Sequence, residues 1–281
     1  MGLAAPSAQA SPLRLPRPSP PRKVAAMSSA STDERTILET NEAFYGELRP
    51  GVQDYWRKMA APRFRVATVL RELEKERPRT IVDLGCGNGA LCEEIHARLP
   101  EAEVAGVDLS AVQVAANTKR LPWGSWLVAD LGASSPPALG RTFDAVVTSE
   151  VIEHVSDPAA FLRNARALAA RGAMLVLSTQ SGKVQETEKR VGHLQHFSVE
   201  QMTRLLAETG WRPERVWNAG YPFHDLSKWY ANRDPDASMA SFADKPYGPK
   251  ENAICAALRF AFRFNSSRRG AQLFAVARAL G

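Results

Sequence analysis

The stretch VDLGCGNG, residues 82–89, decides the fold. It closes a short apolar run, TIVDL at 80–84, and opens a segment of helical periodicity at 89–98, so its glycines sit at a strand-to-helix turn. Gly85, Gly87 and Gly89 let the backbone bend sharply and approach a ligand where a Cβ would collide. The same alternation continues outward. Strand-like runs EVAGVD (103–108), SWLVAD (125–130), FDAVVTS (143–149) and AMLVLST (173–179) are interleaved with helical patterns at 110–119 and 157–170. A further helix is expected at 198–209, where Ser198 and Gln201 have capping-box spacing. A sixth strand is expected near 213–218 and a seventh near 271–278, with residues 221–269 as a long insertion between them. Alternating strands and helices predict an α/β fold whose parallel sheet is buried on both faces.

The glycine pattern alone also fits a dinucleotide site, so its surroundings decide the ligand. Asp108 ends the second strand, nineteen residues after Gly89, where a carboxylate can accept hydrogen bonds from both ribose hydroxyls. Asp83 stands two residues before the first glycine. A negative charge there is unhelpful beside a pyrophosphate but useful near a sulfonium amino acid carrying an ammonium group.

On these residues the chain resembles the class I methyltransferases that use S-adenosylmethionine (SAM), whose first motif reads acid-x-Gly-x-Gly-x-Gly, here Asp83 to Gly89. The resemblance covers about 78–217 and continues in order. Asp108 with Leu109 resembles the ribose-binding corner, Asp130-Leu131 the adenine-flanking motif, and SEVIEHV at 149–155, with Glu150, the motif after the fourth strand. It implies a Rossmann-like seven-stranded sheet of six parallel strands with the last antiparallel, helices on both faces, an N-terminal helical cap over 36–77 and the insertion before the last strand. A SAM-dependent enzyme is the implied activity. A scaffold that binds without turnover is the alternative, although such proteins usually lose the glycines or the ribose acid that this chain keeps.

Methyl transfer from a sulfonium needs alignment and exclusion of water more than activation of the donor, but a hydroxyl acceptor needs a base or a metal to lose its proton. Glu150, Glu153 and His154 stand at i, i+3 and i+4 after the fourth strand, so a helical turn starting there would put all three on one face. GHLQHFS at 192–198 adds His193 and His196. Glu150, Glu153, His154 and His193 are therefore candidate ligands for a divalent ion such as magnesium, manganese or zinc. Without a metal, His154 or His193 is the candidate general base, and the bland alternative is that these side chains only brace the loops. The E-x-x-E-H spacing with a distant His is similar to two branches of the family: the O-methyltransferases of quinone precursors related to ubiquinone biosynthesis, and the small-RNA 3′-end 2′-O-methyltransferases.

Trp56, Tyr221, His224 and Trp229, from the cap and the insertion, are the candidate acceptor-binding residues, an aromatic supply suited to an apolar or planar small molecule. Hydroxyl methylation of a small aromatic, quinone-like or secondary-metabolite acceptor is the leading expectation, and RNA 2′-O-methylation ranks below it. Composition agrees. Of the net charge of +6, four positive charges lie within the acid-free first 26 residues, leaving the rest only weakly basic. The segment 1–30 is rich in Pro, Ala and Arg and is expected to be a disordered leader, with Met27 as an alternative start. Three cysteines without a CxxC pair suit a reducing compartment, and no apolar run is long enough to span a membrane, so a cytoplasmic protein is expected.

Overall fold

The computed structural model describes residues 50–281 except 134, 244 and 245. The leader at 1–30 and the part of the cap before Pro50 lie outside the described residues. The chain opens with helices α1 (Pro50–Lys58) and α2 (Ala60–Glu76). Then follow β1 (Thr80–Leu84), α3 (Ala90–Arg98), β2 (Glu103–Asp108), α4 (Ala111–Arg120), β3 (Ser125–Val128) and β4 (Phe143–Ser149). A single 3₁₀ turn at Ile152–His154 leads to α5 (Pro158–Ala167), β5 (Ala169–Gln180), α6 (Glu186–Arg190), α7 (Val199–Glu208) and β6 (Trp211–Ala219). The insertion contains α8 (Phe223–Ala231), α9 (Pro235–Ala243) and α10 (Pro249–Phe262) before β7 (Gln272–Ala279).

The seven strands form one sheet in the order β3-β2-β1-β4-β5-β7-β6. Pairings from β3 to β5 are parallel, and β7 lies antiparallel to both neighbours, so six strands run one way and the last runs against them. Successive residues of a strand face opposite ways, and both faces are covered here. Ile81 packs with Leu73, Cys92 and Ile95 on the face of α2 and α3, while Val82 and Leu84 pack with Phe161, Met202 and Leu206 on the face of α5 and α7. Strand order reverses between β1 and β4. Their carboxyl ends diverge there and leave the crevice where ligands lie in open α/β sheets.

Two boundaries differ from the sequence expectation. The fifth strand begins at Ala169 rather than 173, and the helix before it ends at Ala167 rather than 170. Ala-Ala-Arg suits a helix, but Leu168 already accepts a sheet-type bond from the Phe143 amide at 2.8 Å, and Gly172 at φ 75° bends the chain into register. The third strand stops at Val128, because Asp130 turns the chain by accepting a bond from the Gly132 amide at 2.8 Å. The Ser198–Gln201 capping box forms as read. Among the described residues no helix is long and apolar enough to cross a membrane.

Candidate active site

The glycine loop joins β1 to α3 with Gly85, Gly87 and Gly89 all at positive φ, 79°, 48° and 72°. Their reasons differ. A Cβ on Gly85 would lie 2.3 Å from a methyl of Val151, and one on Gly89 would lie 2.9 Å from Leu121, so the fold itself needs both to be glycine. A Cβ on Gly87 would meet no atom within 4 Å, which leaves Gly87, of these three, open to a ligand. Asp108, at the end of β2, shapes the loop by accepting from the Gly87 amide at 2.7 Å and the Ser110 amide at 2.8 Å. Burial raises its carboxyl above the ordinary value despite those bonds. Asp83 is more deeply buried, bonded only to the Cys92 thiol at 3.4 Å, and burial pushes it up to about 7. Leu109 and Asp130 are exposed at the strand ends, whereas the Leu131 side chain packs into the core, leaving only its backbone for a ligand.

Across the crevice, Glu150 ends β4 in the left-handed region, φ 58°, a conformation uncommon for a residue with a Cβ and concentrated at functional sites. This turn overrules the expectation of a single helical face. The 3₁₀ turn starts only at Ile152, so Glu150 lies outside it and is not part of the close group formed by Glu153, His154 and His193. Its carboxylate accepts from Gln180 at 2.6 Å and Gln272 at 2.8 Å and sits 3.6 Å from the guanidinium of Arg65, itself buried under Trp56. Burial alone would raise its pKa, yet Arg65 and the two amides hold it below the ordinary value.

Glu153, three residues on, has the opposite surroundings. One oxygen accepts from the Thr179 hydroxyl at 2.8 Å, and the other is buried with no hydrogen-bond partner among the described residues. Burial, reinforced by the charge on Glu150, lifts its carboxyl well above the carboxylate range. The loop after α6 is strapped to this turn by bonds from the Leu194 amide to Glu153 and from Gln195 to Val155. That brings the His193 ring edge-on to His154, centroids 4.6 Å apart. Glu153, His154 and His193 thus place one ligand atom each within 4.8 Å of one another. The Nδ1–H tautomer of His154 donates to the Gly192 carbonyl at 3.1 Å, leaving Nε2 as its lone-pair atom. Burial lowers His154 to about 4 and His193 to about 2, the nearby His154, His196, Lys228 and Arg65 adding to the latter, so both imidazoles are neutral.

Of the four residues expected to hold a metal, the structure brings together three and commits Glu150 to Arg65. Of the acceptor candidates, Trp56 and His224 border the Arg65–Glu150 pair, Trp56 by stacking and the buried His224 by charge proximity, while Tyr221 and Trp229 lie more than half exposed on the surface. Sequence reading missed Arg65, Gln180, Gln272, Glu188 and Lys228. Lys228 reaches in from α8 to bond Glu188 at 2.5 Å and Gln180 at 3.3 Å. A signal existed for Arg65, which stands four residues before Val69 and eight before Leu73 on the apolar stripe of α2. None existed for Gln272, whose role comes from strand pairing ninety-two residues away from Gln180.

Comparison with known proteins agrees with this architecture. The profile of a methyltransferase domain family matches residues 55–216. A ubiquinone biosynthesis O-methyltransferase of Parvibaculum lavamentivorans is 27% identical over 225 residues, covering 71% of this chain and 83% of that protein. A trans-aconitate 2-methyltransferase of Methylobacterium radiotolerans is 31% identical over 123 residues, 44% of this chain and 46% of that protein. Among solved structures, a geranyl diphosphate methyltransferase in complex with GPP and sinefungin superposes with TM-score 0.57 at 16% identity, covering 86% of this chain and 98% of that one. A phosphoethanolamine N-methyltransferase 2 of Haemonchus contortus with S-adenosyl-L-methionine gives 0.51 at 14%, covering 82% and 60%. The sheet order, the glycine loop and the matched profile together make this chain a member of the class I SAM-dependent methyltransferases.

Proposed function

We propose that the chain methylates a hydroxyl of a small aromatic or quinone-like acceptor, with SAM held in the crevice between β1 and β4. Asp83, Gly85, Gly87, Gly89, Asp108, Leu109, Asp130 and the Leu131 backbone would hold the cofactor, and the open face at Gly87 beside Asp108 fits such a ligand. SAM supplies an activated methyl group, so the protein's task is to align the acceptor, exclude water and take up a proton. Glu150 faces the same crevice, and its anchored charge orients the Arg65 guanidinium against Trp56. Trp56 and His224 are the acceptor-facing side chains in this reading.

The observation that carries hydroxyl methylation is the Glu153–His154–His193 cluster, one carboxyl and two neutral imidazoles whose turn packs through Val151 against the glycine loop. The donor set and the unpartnered Glu153 oxygen fit a divalent ion, and a bound ion would lower the pKa of an acceptor hydroxyl. Without an ion, His154 or His193 is the proton acceptor, a role typically worth about 10²–10⁴-fold. The O-methyltransferases among the relatives support this acceptor chemistry. The test is transfer of labelled methyl from SAM to catechols, simple phenols and RNA 3′ ends, with EDTA or with added magnesium, manganese or zinc. Catechol turnover that falls in Glu153→Ala and His193→Ala is the expected result. Turnover indifferent to both substitutions sinks the role of the cluster, and activity on RNA alone, weakening steeply with salt, replaces the acceptor.

A further inference from the structure

The outer face of α10 is apolar although nothing among the described residues covers it. The helix buries Cys255 and Phe262 against the domain, yet Ala253, Ala257 and Phe260 follow one another at helical spacing on the opposite side, and Phe264 stands in the turn just after the helix, all four exposed. Phe260 is 61% exposed and Phe264 63%, and their rings pack edge to face, 5.5 Å between centroids. Arg259 and Arg263 flank this stripe, and Arg268 and Arg269 follow it. No acidic residue occurs from Asn252 to Gly270. Among the described residues Arg263, Arg268 and Arg269 form no salt bridge, and Arg263 lies over the Phe260 ring. The loop also clasps Tyr221, whose amide donates to the Arg269 carbonyl at 2.9 Å, so the arginines stand at the carboxyl end of β6, the edge that carries the glycine loop.

We propose that this ridge docks the protein on an anionic lipid surface, with Phe260 and Phe264 sinking into the interface and Arg263, Arg268 and Arg269 on the headgroups. Charge complementarity names the occupant. Like charge disfavours a second copy of the same face, and the crossed phenyl rings, one of them under Arg263, offer no flat parallel platform on which bases would stack. Docking in this way brings the sheet edge with the crevice close to the bilayer, whichever acceptor the enzyme uses.

The test is co-sedimentation of the full chain with vesicles of phosphatidylglycerol or of phosphatidylcholine, at low and high salt. Three variants separate the contributions: F260S/F264S, R263Q/R268Q/R269Q, and a leader variant R14Q/R17Q/R22Q/K23Q that removes the other basic segment. Melting temperature and SAM affinity report folding. Binding confined to phosphatidylglycerol is expected, weakened by salt, reduced about tenfold by the phenylalanine changes and about a hundredfold by the three arginine changes, with melting and SAM affinity unchanged. No binding by the unmodified chain, equal binding to phosphatidylcholine, or loss only in the leader variant overturns the proposal. Binding of single-stranded RNA in place of vesicles, with the same arginine dependence, overturns it as well and assigns the ridge to nucleic acid.

Discussion

The two walls of the crevice are built by different means. On the β1–β2 side the geometry is backbone: three glycines at positive φ and a carboxylate, Asp108, that closes the loop by accepting two amide bonds. On the β4–β5 side it is side chain against side chain, with two carboxyl groups three residues apart whose environments push them in opposite directions. Arg65, Gln180 and Gln272 hold the Glu150 carboxyl below its ordinary value, while burial lifts that of Glu153 well above it. The difference teaches where each wall is vulnerable. The first fails when a Cβ is added, and the second fails when a charge loses its partner.

Arg65→Met is the most damaging single change by this comparison. It strands the Glu150 carboxylate in a buried site, and breaking a buried pair costs about 3–5 kcal/mol. Urea unfolding should show that loss, and adding Glu150→Gln should restore at least half of it, since the second change removes the stranded charge. A loss below about 1 kcal/mol for Arg65→Met would mean that Glu150 is not anchored as an ion. On the opposite wall, Gly85→Ala should cost about 2–4 kcal/mol through positive φ and collision with Val151, whereas Gly87→Ala should cost only about 1–2 kcal/mol while weakening SAM binding. Calorimetric titration beside unfolding separates the two glycines. Equal effects of both on stability would break the division between a glycine the fold needs and one the ligand needs.

The same contrast explains what could be read from the sequence. Glycine loops, strand-end acids and the alternation of periods are local, so VDLGCGNG, Asp108 and the order of elements were legible, whereas the antiparallel seventh strand came only from the family resemblance these motifs carry. The β4 wall was legible only in part. The grouping of Glu153, His154 and His193 followed from spacing plus one distant histidine, but that Glu150 stands apart from it did not, because an E-x-x-E-H pattern says nothing about a left-handed residue at its head. Its true partners come from α2, β5 and β7, and only tertiary pairing brings them together.

A pH series sharpens the comparison, because the raised carboxyls and the lowered imidazoles titrate with opposite sign. Asp83, raised to about 7, keeps its proton in the folded chain where the unfolded chain has lost it. Its stabilising contribution, complete below about pH 4, is therefore lost as pH rises toward 7. His154, lowered to about 4, stays neutral where the unfolded chain is protonated. Its contribution, complete above about 6.5, is lost as pH falls toward 4. Between these limits Asp83 and Glu153 oppose His154 and His193, and stability in EDTA should change little. Asp83→Asn should unmask the histidine slope, a rise in stability with pH amounting to about 3 kcal/mol over this window, measured by urea unfolding at several pH values. An unchanged slope in Asp83→Asn would place the protonated acid elsewhere.

The smallest expected effect on stability is the most informative about chemistry. Glu153→Gln replaces a carboxyl whose charged form burial disfavours with a neutral group of similar shape, and the amide oxygen can still accept the Thr179 hydroxyl. In EDTA the variant should therefore unfold within about 1 kcal/mol of the parent, unlike Glu150→Gln, which strands Arg65. With manganese added, the parent should gain melting temperature through ligand linkage, and Glu153→Gln should lose most of that gain, because the amide can no longer supply a charged oxygen. A large loss of stability in EDTA would show that Glu153 is ionised in the folded chain. An equal manganese response in parent and variant would remove this carboxyl from any metal site and leave His154 and His193 as the proton-handling groups of the β4 wall.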